Sequence, residues 1–166
     1  MELYLTRHAT AIDQLGGNVR RDEDRYLVPE GKQEAEAMAK ALHKLDVKAH
    51  AFVSSPLLRA RQTAEIFAEV LGKKGAVIVS EALAPGGEPD DLYTQLAELK
   101  RAEGVFVFGH MPDISRLASA LLFSDEIDIP FKKASVCRID VFDLPPTQPG
   151  QLKWFLTPRV VRALTG

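Results

Sequence analysis

The stretch GVFVFG, Gly104 to Gly109, with His110-Met111-Pro112 directly after it, indicates the fold class of this 166-residue chain. The run carries no charged side chain, which predicts a strand buried on both faces. Strands of this kind are typical of parallel sheets covered by helices on each side. We therefore expect an α/β protein whose sheet has this strand in its interior.

Strand-like and helix-like segments alternate on both sides of this run. Further strands are predicted at Glu2–Thr6, His50–Ser54, Ala76–Val79, Ala134–Phe142 and Leu152–Leu156. Apolar residues at helical spacing predict helices over Glu30–Leu45, from Ser55-Pro56 to Gly72, over 90–101 and over 114–123, with a short tail or helix at Thr157–Gly166. This order predicts one domain over residues 1–166, a three-layer α/β/α sandwich around a mostly parallel central sheet.

Two local features refine this prediction. Ser55 suits the N-cap of the second helix and Pro56 its first position. Asp13–Pro29 is polar, rich in both charges and without periodicity, so it predicts a long loop, and long ordered loops in compact domains tend to be functional. We interpret Asp22–Asp24 within it as polar loop residues that balance neighbouring arginines.

Composition excludes several classes of function. The net charge is −2, with 46% hydrophobic and 27% charged residues, so no general attraction to nucleic acid or to a membrane surface is expected. The single cysteine, Cys137, cannot form an internal disulfide, and the four histidines lack metal-ligand spacing. No run reaches the length of a membrane span and no signal-peptide pattern occurs, so we expect a cytoplasmic protein without a metal or other cofactor.

Polar residues follow three of the predicted strands at their carboxyl ends. Arg7 and His8 follow the first strand, and His110 follows the apolar strand. The second strand ends at Ser54-Ser55-Pro56, with Arg59 in the helix beyond it. In open α/β sheets, ligands bind beyond these ends. If the three strands are neighbours, one sheet edge holds two imidazoles and at least two arginines, with no carboxylate from a strand end.

This set of side chains suits a phosphoryl group. The arginine fork matches phosphate oxygens in bidentate geometry and keeps its charge. The start of a helix adds free backbone N–H groups. A neutral imidazole can attack phosphorus and carry the phosphoryl group covalently, while the cations stabilise charge on its oxygens. The residues therefore predict phosphoryl-transfer chemistry.

Four segments in order resemble the signatures of the histidine phosphatase (phosphoglycerate mutase-like) superfamily. Leu5–His8 (LTRH) resembles the R-H-G signature, and Ser54–Ala64 (SSPLLRARQTA) resembles S-P-x-x-R-A-x-Q-T-A. Phe108–Pro112 (FGHMP) is similar to a strand ending in G/S-H-x-P, and Asp24–Gly31 (DRYLVPEG) to D-R-x-L-T-x-x-G. The short chain looks most like the SixA-type phosphohistidine phosphatases of bacteria.

The resemblance implies roles for individual residues. His8 is expected to be the nucleophile that becomes phosphohistidine. Arg7 and Arg59 are expected to clamp the phosphate, His110 to donate a hydrogen bond or charge to the transition state, and Arg25 to complete the phosphate pocket from the loop. The implied fold is the phosphoglycerate mutase-like sandwich, and no cofactor is required.

The chain departs from the family pattern at two places. Ala9 stands where the family usually has glycine, so its methyl group is either tolerated or narrows the approach to the phosphate. Larger members carry an acidic proton donor between the second and third motifs, where this chain reads SEALAPGGEPDD. Glu81, Glu88, Asp90 and Asp91 are all possible, although none lies in a recognisable motif, and Glu81 and Glu88 are the leading candidates. Cleavage of a P–N bond depends less on a proton donor than cleavage of the P–O bond to an alcohol does. The lack of a recognisable acid motif therefore agrees with a phosphohistidine substrate.

Three functions remain open at this stage. The first is a phosphatase acting on a phosphohistidine-bearing protein. The second is a phosphomonoesterase with the same site and a small phosphorylated metabolite as its substrate. The third is a non-catalytic module that binds phosphate or a phosphoprotein. A binding module needs no nucleophile, so His8 argues for an enzyme.

Overall fold

The computed structural model describes residues 1–13, 18–99, 101–124 and 127–165. The strands are β1 (Glu2–Arg7), β2 (Ala51–Ser54), β3 (Val77–Val79), β4 (Gly104–Gly109), β5 (Val136–Asp140) and β6 (Gln151–Leu156). The helices are α1 (Pro29–Lys44), α2 (Leu58–Val70), α3 (Pro89–Glu98), α4 (Asp113–Leu121) and α5 (Pro158–Thr165), with short 3-10 turns at Asp22–Asp24 and Glu81–Leu83. Within the described ranges, no helix combines the length and the apolar character that crossing a membrane requires.

One mixed sheet has the strand order β3-β2-β4-β1-β5-β6. Strands β1 to β4 pair with one another in parallel. Strand β5 pairs antiparallel with β1, and β6 pairs antiparallel with β5. Strand β4 pairs with β1 on one side and with β2 on the other. The α/β sandwich with a mostly parallel sheet is therefore confirmed, and the three strands that carry the predicted site residues are neighbours.

Strand β4 is buried at every position because both faces of the sheet are covered. Val105 and Val107 belong to an apolar cluster with residues of α3 and α4. Phe106 and Phe108 belong to the opposite cluster, with residues of α1, α2 and α5. Full burial of a side chain of this size contributes about 1.5–3 kcal/mol. This packing holds β4 in place within the sheet, and it thereby fixes the position of His110, which follows the strand.

The predicted start of the second helix is wrong by two residues. Helix α2 begins at Leu58, and its N-cap, Leu57, has no capping side chain. The hydroxyl of Ser55 instead accepts a hydrogen bond from the backbone N–H of Leu57 and contacts His110. Gly72 follows the helix with a φ of +76°, so the predicted helix end is confirmed.

Other boundaries shift by a few residues, and several predicted segments reach beyond the described ranges. Residues 14–17 of the predicted loop Asp13–Pro29, Lys100 of the predicted helix 90–101 and Gly166 of the predicted tail all lie outside them. The described part of the loop contains the 3-10 turn at Asp22–Asp24, which the sequence pattern did not predict. This turn packs against α2.

Gly31 places helix α1 against the chain that follows β1. A Cβ atom at Gly31 would lie 1.9 Å from the carbonyl oxygen of Thr10. No side chain fits at such a distance. The glycine that ends the D-R-x-L segment therefore allows the close approach between α1 and the segment directly after His8.

Candidate active site

His8 follows β1 directly, and its ring is held in one orientation. Its Nδ1–H donates to the carbonyl oxygen of Ala9 at 2.7 Å. Because a carbonyl only accepts, the proton lies on Nδ1 and Nε2 keeps its lone pair. That lone pair accepts a hydrogen bond from Nε of Arg59 at 3.3 Å. The side chain is buried, so the imidazole presents Nε2 within a protected cluster.

The backbone around His8 is tied to two other elements. Its N–H donates to the carbonyl of Gly109, the last residue of β4, at 3.1 Å. The next N–H, of Ala9, donates to Thr63 Oγ1 at 3.1 Å, and the Thr63 hydroxyl donates to the carbonyl of Arg59 at 2.7 Å. Thr63 thus connects the chain after the nucleophile candidate to the first turns of α2, where Arg59 lies.

His110 follows β4 and faces His8. The two ring centroids are 5.1 Å apart. The Nε2 atom of His110 lies 2.7 Å from Ser55 Oγ. Its Nδ1 is buried and has no hydrogen-bond partner among the described residues. A buried polar atom of this kind is costly unless a ligand or water satisfies it.

Both imidazoles are held neutral. The pKa of His8 is lowered to about 3, chiefly by burial and also by the neighbouring His110, Arg59 and Arg7, although the hydrogen bond to Ala9 acts in the opposite direction. Burial also lowers the pKa of His110 to about 4, with Arg59 and Arg7 acting in the same direction. A neutral imidazole has the lone pair that nucleophilic attack needs.

Two arginines accompany the histidines. Arg59 is 5% exposed, although it carries a charge. Arg7 donates from NH1 to the carbonyl oxygen of Phe131 at 2.7 Å, and its Nε is buried without a partner among the described residues. Burial lowers the pKa of Arg7. An arginine remains protonated even so, which leaves two guanidinium charges beside two neutral rings.

The loop before α1 supplies a carboxylate that the sequence interpretation missed. Asp22 Oδ2 accepts from NH2 of Arg59 at 2.9 Å, and Asp22 Oδ1 accepts from NH1 of Arg25 at 3.0 Å. Arg25 also donates from Nε to the carbonyl of Ile12 at 2.7 Å. Burial alone would raise the pKa of Asp22, but the hydrogen bonds from Arg25 and Arg59 outweigh burial and lower it. Arg25 thus reaches the site through Asp22.

The two acidic candidates lie on the segment beside His110. Glu81 begins the second 3-10 turn and Glu88 precedes α3, and both are exposed. A cavity next to His110 is lined by their chain neighbours, including Leu83 and Gly87, rather than by the two glutamates. The segment therefore approaches the site, while neither glutamate belongs to the lining of this cavity.

The arrangement is suited to an anion with several oxygens. Nε of Arg7 and Nδ1 of His110 are buried polar atoms without partners in the described part of the chain. Phosphoryl oxygens are acceptors that a guanidinium and an imidazole N–H can satisfy. No group of three metal-ligating side chains occurs among the described residues. The geometry thus brings His8, Arg59 and His110 together, with Arg7 next to His8 in the chain.

Comparison with known proteins agrees with this geometry. The model of the histidine phosphatase superfamily (branch 1) matches residues 3–85. An uncharacterised protein from Picosynechococcus sp. (strain ATCC 27264 / PCC 7002 / PR-6) is 38% identical over 129 residues, which cover 74% of each chain. Among solved structures, the protein histidine phosphatase SixA complexed with tungstate is 25% identical, with a TM-score of 0.84 over 96% of this chain and 98% of that chain.

The fold also occurs in a phosphatase of small molecules. The mycobacterial glucosyl-3-phosphoglycerate phosphatase is 21% identical, with a TM-score of 0.66 over 92% of this chain and 96% of that chain. The family match and the SixA-like fold confirm the predicted superfamily, fold class and enzyme class. The chain therefore belongs to the histidine phosphatase superfamily (branch 1), and it is a phosphatase with the fold of SixA.

Proposed function

We propose that this protein removes the phosphoryl group from phosphohistidine on a protein, through a phosphohistidine intermediate on His8. The observation that carries the proposal is the neutral His8 ring, whose Nε2 lone pair lies 3.3 Å from Nε of Arg59. Arg59 is therefore close enough to the nucleophile to bind the oxygens of a phosphoryl group that Nε2 attacks.

The first step transfers the phosphoryl group to His8. The Nε2 lone pair attacks phosphorus, the P–N bond to the substrate imidazole breaks, and the released imidazole takes a proton from solvent water. Arg59 gives up its hydrogen bond with Nε2 and donates to a phosphoryl oxygen. Nε of Arg7 and Nδ1 of His110, which lack partners within the described ranges, gain phosphoryl oxygens as acceptors. Preorganised donors of this kind supply most of the catalysis in phosphoryl transfer.

The second step regenerates the enzyme. Water attacks the phosphorus of the phosphorylated His8, the P–N bond breaks, and inorganic phosphate leaves. Nδ1 of His8 keeps its proton throughout, because the Ala9 carbonyl accepts it at 2.7 Å. The ring therefore returns to the tautomer from which it began.

Two observations support phosphohistidine as the substrate. SixA, whose fold covers 96% of this chain, is a protein histidine phosphatase. In addition, Glu81 and Glu88 lie outside the lining of the cavity beside His110. Imidazole is a better leaving group than an alkoxide, so the absence of these two glutamates from the lining agrees with a P–N bond as the bond that is cleaved.

A comparison of substrates tests the proposal. Turnover of a histidine phosphotransfer domain carrying phosphohistidine is measured beside a panel of sugar and nucleotide phosphates, with the variant His8→Ala as the inactive control. We expect kcat/KM for the phosphohistidine protein to exceed kcat/KM for every phosphate ester of the panel. A small phosphate ester that is turned over more efficiently would contradict the proposal.

The second candidate is a phosphomonoesterase of a small metabolite. The cavity beside His110 favours it, because a small ligand needs walls around it, and Leu83, Leu92 and Ile114 supply apolar ones. The shared fold of a glucosyl-3-phosphoglycerate phosphatase points the same way. The same panel separates the two candidates.

A further inference from the structure

We propose that Asp22 is a positioning residue that fixes the Arg59 guanidinium over Nε2 of His8 and couples Arg25 to it. This inference rests on the proposed nucleophilic role of His8, but not on the identity of the substrate. Nothing in the sequence assigned Asp22 to the site, because it lies 37 residues before Arg59 in the chain.

Asp22 holds both terminal nitrogens of Arg59. Its backbone carbonyl accepts from NH1 at 2.8 Å, and its carboxylate Oδ2 accepts from NH2 at 2.9 Å. Nε of Arg59 meets Nε2 of His8. All three guanidinium nitrogens are thus engaged, and the Nε edge is the one that remains turned toward His8.

These hydrogen bonds leave the edge of the Arg59 guanidinium formed by Nε and NH2 able to bind a phosphoryl group. Each terminal nitrogen has two N–H groups, so NH2 keeps one after it donates to Asp22. Nε and NH2 together can therefore bind two phosphoryl oxygens, and the only contact given up is that with His8. Asp22 remains in place while the substrate binds, as a positioning role requires.

The same carboxylate brings a second cation to the site. Asp22 Oδ1 accepts from NH1 of Arg25 at 3.0 Å, and the carbonyl of Ile12 holds Nε of Arg25 at 2.7 Å. Without a bridging carboxylate, the two guanidinium groups would repel each other. An asparagine cannot replace this bridge, since its amide has only one accepting oxygen.

The test compares two substitutions on one 3-10 turn. Asp22→Asn removes the bridge, and Asp24→Asn removes the same charge two residues away, where the carboxylate pairs with the exposed Arg21 at 3.0 Å. The Asp22 side chain is 46% exposed, so its replacement removes little packing. Asp22→Glu restores the charge and an acceptor pair, and it serves as the rescue variant.

Three measurements follow for each variant. These are kcat and KM on p-nitrophenyl phosphate, the affinity for tungstate by calorimetry, and the NMR signal of the Arg59 Nε–H, assigned with Arg59→Lys. We expect Asp22→Asn to lower kcat roughly 10- to 100-fold, as small misplacements of catalytic groups do, with a smaller change in KM. It should also weaken tungstate binding and remove the protected Nε–H signal. Asp22→Glu should recover part of each, and Asp24→Asn should match the wild type.

Three results would overturn the proposal. Equal losses in Asp22→Asn and Asp24→Asn would show that only the charge of the turn matters. Tighter tungstate binding by Asp22→Asn would show that the carboxylate competes with the anion. An unchanged Nε–H signal despite lower kcat would show that Asp22 does not position Arg59. Tungstate binding needs no turnover, so these results remain readable even if phosphohistidine proves to be the wrong substrate.

Discussion

Ser55 Oγ lies 2.7 Å from Nε2 of His110, and this contact decides which ring nitrogen faces a substrate. Since Nε2 is occupied, Nδ1 is the nitrogen that a phosphoryl oxygen or a leaving group can use. Ser55 also accepts from the N–H of Leu57, so one hydroxyl links the end of β2, the start of α2 and the end of β4. The orientation of His110 therefore depends on a residue that the sequence pattern placed in a different role.

Replacing this hydroxyl should impair catalysis. In Ser55→Ala, the His110 ring loses its fixed orientation, and we expect kcat on p-nitrophenyl phosphate to fall roughly 10- to 100-fold. Ser80→Ala is the matched control, because Ser80 is also buried but its hydroxyl contacts Gln95. Steady-state kinetics of both variants check this expectation. If Ser80→Ala loses as much kcat as Ser55→Ala, the effect comes from lost packing rather than from His110.

The depressed pKa values of the two site histidines predict how stability depends on pH. In the folded protein the pKa is about 3 for His8 and about 4 for His110, below the 6.5 of an unperturbed histidine. Between pH 6.5 and pH 4 the unfolded chain therefore binds more protons than the folded one. The free energy of unfolding should fall as pH decreases through this window, by up to about 1.4 kcal/mol per pH unit for each histidine.

Urea unfolding between pH 7 and pH 4.5 measures this slope. His110→Gln removes one of the two groups and should give a shallower dependence than the wild type. His43→Gln, on the exposed face of α1, is the control and should keep the wild-type slope. A slope that His110→Gln leaves unchanged would mean that His110 takes up its proton equally in both states.

Ala9, which stands at the glycine position of the R-H-G signature, should be compatible with full activity. The residue is fully buried, and it is absent from the positive-φ positions of the described chain, so its methyl group fits without backbone strain. We expect Ala9→Gly to keep the wild-type kcat and to lower the free energy of unfolding by about 0.5–1 kcal/mol. Thr63→Val, which removes the acceptor of the Ala9 N–H, should lower kcat instead. A large gain of activity in Ala9→Gly would show that the methyl group obstructs the phosphate.

Neither acidic candidate should be essential for a substrate with a good leaving group. Glu81 and Glu88 are exposed and lie outside the lining of the cavity next to His110. A general acid contributes roughly 100-fold or more to the rate. We expect Glu81→Gln and Glu88→Gln to fall well short of such a loss on p-nitrophenyl phosphate. A loss of that size in either variant would identify it as the proton donor.

The sequence predicted those site residues that follow from strand order. Arg7, His8 and His110 stand at the ends of β1 and β4, and the rule that parallel strands gather ligands at their carboxyl ends placed them together. Arg59 follows from its place in the first turn of α2. The family, the fold class and the phosphatase class are confirmed by the comparisons. The roles of the individual residues stay predictions until variants are measured.

The contacts that could not be predicted from the sequence depend on how loops fold and on how side chains are oriented in the tertiary structure. Ser55 before Pro56 has the local pattern of an N-cap, but the tertiary contact with His110, 55 residues away, determines its position. Asp22 lies among loop arginines, so the sequence pattern explained it as a polar loop residue that balances them. Its second bond, to Arg59, depends on how the loop folds over α2. Local patterns carry no information on such distant partners.

The central claim, that His8 accepts the phosphoryl group, is tested most directly by trapping the intermediate. The protein is incubated with phosphoramidate, quenched at alkaline pH, and examined by intact-mass and fragment mass spectrometry. We expect one acid-labile phosphoryl adduct, located on His8 and absent from His8→Ala. An adduct on another residue, an adduct that persists in His8→Ala, or turnover by His8→Ala at the wild-type rate would contradict the claim.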